Sequence, residues 1–291
     1  MKRYLFPILM MLIMLSACNK ATPTPAPTEL PTATLPPTPT ALPMALRVNG
    51  EGILLSDYQA ELARLQLAQT ELGQVSTPEE QRDRIINNYV DMLLLAQAAA
   101  QNGFSLDDAT LQARLDKLAT DAGGAEKLSA WQAANGYTAD SFKTALRLEI
   151  TAVWQRDQII NSVPTTAEQI HALQILVQEE ANALDALQKL KDGTNFAELA
   201  LLYDKTSGGD IGWFAAGTLT QPEVDAAVFA LQIGQYTEVI KSELGYHILY
   251  VVDREPEHPL SVDGRRILQE AALDKWLEAA RAASSIEVLV Q

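Results

Sequence analysis

The sequence predicts an α+β protein: a helical region, a compact region of short strands and helices, then a closing helix and strand. Three observations carry this. Apolar residues recur at helical spacing through residues 77–160. Residues 170–254 alternate strand-like runs with short helices and glycine turns. A last amphipathic stripe, 267–283, runs into a strand-like 285–290, and neither can bury its apolar face alone. The composition supports a folded chain, since 47% of the 291 residues are apolar and 20% charged. The 22 Lys and Arg against 37 Asp and Glu give −15, a surface that repels a phosphate backbone and argues against nucleic-acid binding. One cysteine excludes an internal disulfide, and three histidines (171, 247 and 258) leave little for zinc. No metal or other cofactor is expected.

Lys2 and Arg3 precede an apolar run, 5–15, of signal-peptide length. Leu15, Ser16, Ala17 and Cys18 follow, and this resembles the lipobox of bacterial lipoproteins. The resemblance implies a signal peptide over 1–17, cleavage before Cys18, lipidation of that cysteine, and an extracytoplasmic protein anchored in the bacterial cell envelope. Residues 19–43 contain eight prolines and seven threonines, which cannot build a core. The lipidated cysteine and this stretch, 18–43, are expected to form an extended tether rising about 3.1 Å per residue.

Residues 44–52 read as a short strand and turn, opening a helical domain over 44–164. Ser56 with Gln59 makes one helix-capping box. Thr77, Pro78, Glu79 and Glu80 make a better one, with proline at the first helical position. From there Ile85, Ile86, Tyr89, Leu93 and Leu94 keep helical spacing up to a stop at Asn102 and Gly103. Ser105 with Asp108 opens the next helix, carrying Leu111, Leu115 and Leu118. Thr138 caps a long one through Phe142, Leu146, Ile150, Val153 and Ile159, ending near Pro164. This order, with the fragments VNGEGILLSDY, NNYVDMLLLAQAAAQNGFSL and NGYTADSFKTALRLEI, resembles the N-terminal chaperone region of the SurA and PrsA families of extracytoplasmic foldases.

In the second region, 165–256, residues 170–177 read as a strand. A helix through Ala183, Leu184, Leu187 and Leu190 stops at Gly193, and 195–200 is a second short helix. Gly208 and Gly209 turn into a strand through Phe214, 222–231 is a helix, 234–241 a turn and strand, and 245–252 the last strand. Pro256 and Pro259 close the segment, and His258 reads as a solvated loop residue. The ordered landmarks IHALQILV, DGTNFAELALLY, GGDIGWF, DAAVFALQIGQ and ELGYHILYVVDRE resemble the parvulin (PpiC-type) peptidyl-prolyl cis–trans isomerase domain. The resemblance implies a small mixed sheet wrapped by helices, with substrate held across the sheet face.

Such an activity needs little chemistry. An X-Pro bond isomerises over a barrier of about 18–20 kcal/mol without breaking a bond to carbon. Catalysis means holding the proline in an apolar cup and favouring the twisted amide. In the family two histidines face each other beneath the site, and an Asp or Cys sits beside the amide. His247 matches the second histidine, and Gln174 stands where the first would be. A glutamine amide can still hydrogen-bond His247, so the match implies an isomerase of reduced activity. His171, three residues away, points to the other face of the strand. Asp204 is the nearest match to the acid, in a loop shorter than the family's. Ile211, Leu219 and Val224 match the cup, with Phe214 at its edge. Leu and Val replace larger Met and Phe there, which makes a shallower grip.

In the SurA and PrsA families the tail returns to the N-terminal region. Residues 257–291 are therefore expected to complete a helical chaperone-like domain into which the parvulin-fold domain is inserted, with Trp276 packed on residues 85–160. The reading is a membrane-anchored extracytoplasmic foldase, an isomerase and chaperone whose partners are unfolded exported polypeptides with X-Pro bonds. The alternative is a parvulin-fold holdase that binds such chains without isomerising them. A Cys18→Ala protein should leave the membrane fraction or remain unprocessed; an unmodified Cys18 in the intact mass of the mature protein would contradict the anchor.

Overall fold

The structure is a computed structural model that describes residues 42–290. The signal segment, Cys18 and nearly all of the Pro/Thr-rich stretch lie outside the described residues. A hairpin, β1 (Met44–Val48) and β2 (Glu51–Leu54), leads into α1 (Leu55–Leu72), α2 (Pro78–Gln101), α3 (Asp108–Asp121), α4 (Ala125–Ala134) and α5 (Ala139–Asn161). The capping box of α2 forms on both sides: Glu80 N–H donates to Thr77 Oγ1 at 3.2 Å, and Thr77 N–H to the Glu80 carboxylate at 2.7 Å. Thr138 and Ser141 make the same reciprocal pair at the start of α5.

Two helix starts differ from the sequence expectation. Helix α1 begins directly from β2 with no side-chain cap, its Leu55 N–H taken by the Pro43 carbonyl, so Ser56 falls inside the first turn. Asp107, not Ser105, caps α3, accepting from Thr110 N–H at 2.7 Å; a carboxylate there also complements the positive end of the helix. Helix α4 is only ten residues long and carries no regular apolar stripe, so the periodicity does not show it.

The helical core joins Ala45, Leu46 and Val48 of β1 to Ile85, Ile86, Val90, Leu93 and Leu94 of α2. The chain tail completes it. Trp276 and Ala280 of α9 (Val262–Ala282) pack on this cluster, and β7 (Ile286–Val288) pairs antiparallel with β1 to give the order β2-β1-β7. Asn49 holds Ser285 by two hydrogen bonds, N–H to carbonyl at 2.8 Å and Oδ1 from N–H at 2.9 Å. Arg281 reaches Asp91 on α2. The C-terminal helix is thus part of the helical domain, and the sheet region is inserted between α5 and α9.

That region contains β3 (Thr166–Val177), α6 (Glu180–Lys191), α7 (Phe196–Tyr203), β4 (Asp210–Ala215), α8 (Pro222–Phe229), β5 (Ile240–Ser242) and β6 (Gly245–Pro259). Its strands are ordered β4-β3-β6-β5, and every pairing is antiparallel rather than mixed. Two helices in succession return the chain to the end where β3 stopped, so β4 runs back along it. Strand β6 passes through Pro256 to Pro259, beyond the expected stop. The register shift between Ala167 and Gln169 leaves Pro256 without a ladder partner, so its missing N–H breaks no bond. On one sheet face Ile170, Ala172, Leu249 and Val251 meet Val224 and Val228 of α8. On the other, Ile175 and Ile248 meet Leu187, Leu190, Phe196 and Leu199 of α6 and α7.

Trp276 is half-buried, so Trp276→Ala should cost about 2 kcal/mol, less than the roughly 3–5 of a fully buried ring. A urea melt measures this; a chain ending after residue 260 that unfolds at the same denaturant concentration as the full chain would contradict the packing.

Candidate functional site beneath a surface groove

A groove of about 340 Å³ opens over the end of β3; Gln174, Leu176, Gln178, Tyr203, Asp204 and Ile211 line it. Register builds its floor. Gln174 pairs with Leu249 and Leu176 with His247, so Gln174 and His247 are diagonal neighbours on one face. Gln174 Nε2–H donates to His247 Nδ1 at 3.0 Å. With Nδ1 accepting, the proton sits on Nε2, which donates to Ser242 Oγ at 2.6 Å. Ser242 Oγ also accepts from Leu244 N–H at 3.0 Å. His247 is only 1% exposed. Burial pushes its pKa below the ordinary imidazole value, against the pull of the Glu223 carboxylate. The site therefore holds a neutral imidazole fixed at both nitrogens.

Two glycines press loops onto β3 on either side of Gln174. Gly209 has φ 77°, and a Cβ there would lie 2.2 Å from the Gln174 carbonyl oxygen; its own carbonyl accepts from Gln174 N–H at 2.7 Å. Gly245, at φ 128°, would bring a Cβ to 2.5 Å from the Val177 carbonyl. Gly209 is therefore more than a turn residue: only glycine lets the loop after α7 close on the groove.

Asp204 caps the end of α7 and ties that short loop. Its carboxylate accepts from the Ser207 hydroxyl, from Thr206 N–H at 2.8 Å and from Ser207 N–H at 3.2 Å. These bonds, the Ser207 hydroxyl foremost, hold its pKa below the usual carboxylate range. Of the apolar candidates, Ile211 lines the groove, while Phe214 (8% exposed) and Val224 (2%) are buried in the cluster under α8 with Leu219 partly buried against it. The structure thus joins Gln174, Asp204 and Ile211 at the groove, with His247 beneath, and packs Phe214, Leu219 and Val224 into the cluster on which α8 sits.

The other two histidines lie elsewhere. His171 donates to Asp210 at 2.8 Å and stacks on Trp213. His258 is not a solvated loop residue: it belongs to β6, is partly buried, and also stacks on Trp213, centroids 4.3 Å apart. Sequence reasoning also missed three acidic or hydroxyl side chains. Ser242 stands five residues before His247, across a hairpin turn that returns it beside the imidazole. Buried Asp225 accepts from Gly217 and Leu219 N–H and so fixes the loop that carries Leu219. Glu223 occupies the first turn of α8. Among the described residues, no three His, Cys, Asp or Glu side chains group to hold a metal ion.

The class follows from two matches. Residues 165–253 match the PPIC-type PPIASE domain, and residues 36–153 match the SurA-like N-terminal domain. The sheet region is thus a parvulin-type domain carried by a SurA-like helical one. The particular relatives are foldases and chaperones. The foldase protein PrsA of Geobacillus sp. (strain WCH70) is 35% identical over 127 residues, 42% of this chain and 45% of the relative. The chaperone SurA of Dechloromonas aromatica is 31% identical over 148 residues, 43% of this chain and 33% of the relative. The aligned part is less than half the length of either relative. Among solved structures, the peptidylprolyl isomerase PrsA of Bacillus cereus aligns over 80% of this chain and 84% of its own at 19% identity, with a TM-score of 0.46.

The lowered pKa of His247 has a measurable sign. Between its folded value and the ordinary value of about 6.5, the unfolded chain binds a proton that the folded chain does not, so stability falls as pH drops through that window, by at most about 1.4 kcal/mol per pH unit. Imidazole NMR should give a His247 midpoint below 6.5, and His247→Gln should flatten the stability loss between about pH 7.5 and 5.5. A midpoint above the ordinary value would contradict the buried neutral ring.

Proposed function

We propose that this chain is a membrane-anchored extracytoplasmic foldase, a peptidyl-prolyl cis–trans isomerase and chaperone for exported proteins, held at the envelope by lipidated Cys18. The observation that carries the reading is the chain Gln174–His247–Ser242 beneath a groove that Leu176 and Ile211 share with polar side chains, within the stretch that matches a PPIC-type PPIASE domain. The proline ring would rest against Ile211 and Leu219, with Phe214 and Val224 backing them. The twisted amide would lie over the Gln174–His247 pair and beside Asp204. No proton need leave the protein: a fixed, neutral polar floor favours a rotated amide over a planar one without forming a bond. The helical domain would hold the rest of an unfolded client.

A second reading, a holdase with a silent parvulin fold, is favoured by three features. Gln174 replaces an imidazole, Asp204 is engaged in its own turn, and Phe214 and Val224 are buried between α8 and the sheet. A protease-coupled X-Pro peptide assay separates the two. The foldase reading expects measurable wild-type activity, a gain of about tenfold (about 1.4 kcal/mol) in Gln174→His, and a loss in His247→Ala. Peptide binding without turnover in every variant would establish the holdase instead.

A further inference from the structure

The groove is mixed in character, with two exposed aliphatic side chains beside polar ones and one carboxylate. Leu176 and Ile211, 37% and 36% exposed, line it, and Leu244, 50% exposed, is tied to it by Gln178 Nε2–H donating to the Leu244 carbonyl at 3.0 Å. Asp204 is the one charged side chain in its lining. Exposed Glu223, in the first turn of α8, is a further carboxylate of this region but does not line the groove. No Lys or Arg lines the groove among the described residues. Lys241 lies over the Tyr246 ring, 5.9 Å from its centroid, and Lys205 follows Asp204 on the exposed loop. The surrounding field has the same sign, since residues 165–256 carry 14 Asp and Glu against five Lys and Arg, a net of −9.

We propose that Asp204, in a lining without Lys or Arg and within a region of net negative charge, makes this groove selective for X-Pro segments with a basic residue next to the proline, and that acidic neighbours are disfavoured. This rests on the groove being the X-Pro site. A lysine suits such a surface in both its parts: its methylene stem covers Leu176 and Ile211 while its ammonium meets a carboxylate. A glutamate in the same place would meet the like charge of Asp204 and find no cation in the lining. The client class is then the basic, apolar-flanked segment of an unfolded chain, and selection acts at the proline step itself.

The test uses the described protein with N-acetyl-Ala-Xaa-Pro-Phe peptides in which Xaa is Lys, Leu or Glu. Both turnover and binding of dye-labelled versions by anisotropy are measured. At low salt the Lys peptide should exceed the Glu peptide about tenfold in both readouts, with Leu between them. At about 1 M salt the Lys and Glu peptides should converge while Leu changes little. Asp204→Asn, which removes the charge and keeps a side-chain carbonyl for the turn, should cut the Lys-to-Glu ratio to about a third. Equal affinity for Lys and Glu peptides at low salt, a preference indifferent to salt, or no binding of the Lys peptide would each overturn the proposal. Ordered binding without turnover would leave it standing and remove the isomerase reading instead.

Discussion

Strands β3 and β6 run antiparallel from Thr166 opposite Pro259 to Val177 opposite Tyr246, and most of the molecule is hung on that register. At one end the pair brings the chain out of α5 and returns it to α9, so Trp276 reaches the α2 core and β7 reaches β1. At the other it sets Gln174 diagonal to His247. A one-residue slip would turn Gln174 to the opposite face, toward α6 and α7, and leave the imidazole without its partner. The two apolar faces oppose such a slip, because it would exchange Ile175 and Ile248 with polar neighbours in a packed layer. Stability and the candidate site thus depend on one alignment.

Helix α8 is the second element held in place by specific bonds. Near its start Asp225 grips the backbone of Gly217 and Leu219. At its end Arg254 of β6 donates to the Phe229 carbonyl at 3.0 Å and the Leu231 carbonyl at 2.8 Å, and pairs with Glu168. These carbonyls lie at the helix C-terminus, where a cation is favoured and the last C=O groups need donors. The clamp holds Val224 and Val228 against the sheet and sets how much of Leu219 faces solvent. It also explains why two of the residues expected in an apolar cup are buried.

Much of this was legible in the residues. Thr77 and Thr138 announce two helices because capping chemistry is local, and alternation along residues 170–177 puts Gln174 and His171 on opposite faces. Elements that depend on tertiary context were not legible. Helix α4 is short and its few apolar residues form no regular stripe to read. Ser56 and Ser105 look like caps, but the strand entering α1 and the neighbouring carboxylate of Asp107 take those places. Ser242 becomes part of the site only through the hairpin that returns it to His247. His258 is drawn out of solvent only because β6 crosses a proline at a bulge and carries it onto Trp213.

A neutral imidazole, fixed by Gln174 and Ser242, lies beneath the groove proposed to hold an X-Pro segment. Two-dimensional exchange NMR on such a peptide, with the protein at catalytic concentration, tests this most directly. The account predicts exchange cross-peaks between the cis and trans proline signals, together with shifts at Gln174, Ile211 and His247 when the protein is in excess. Absence of exchange cross-peaks, with peptide-induced shifts confined to the helical domain, would contradict it.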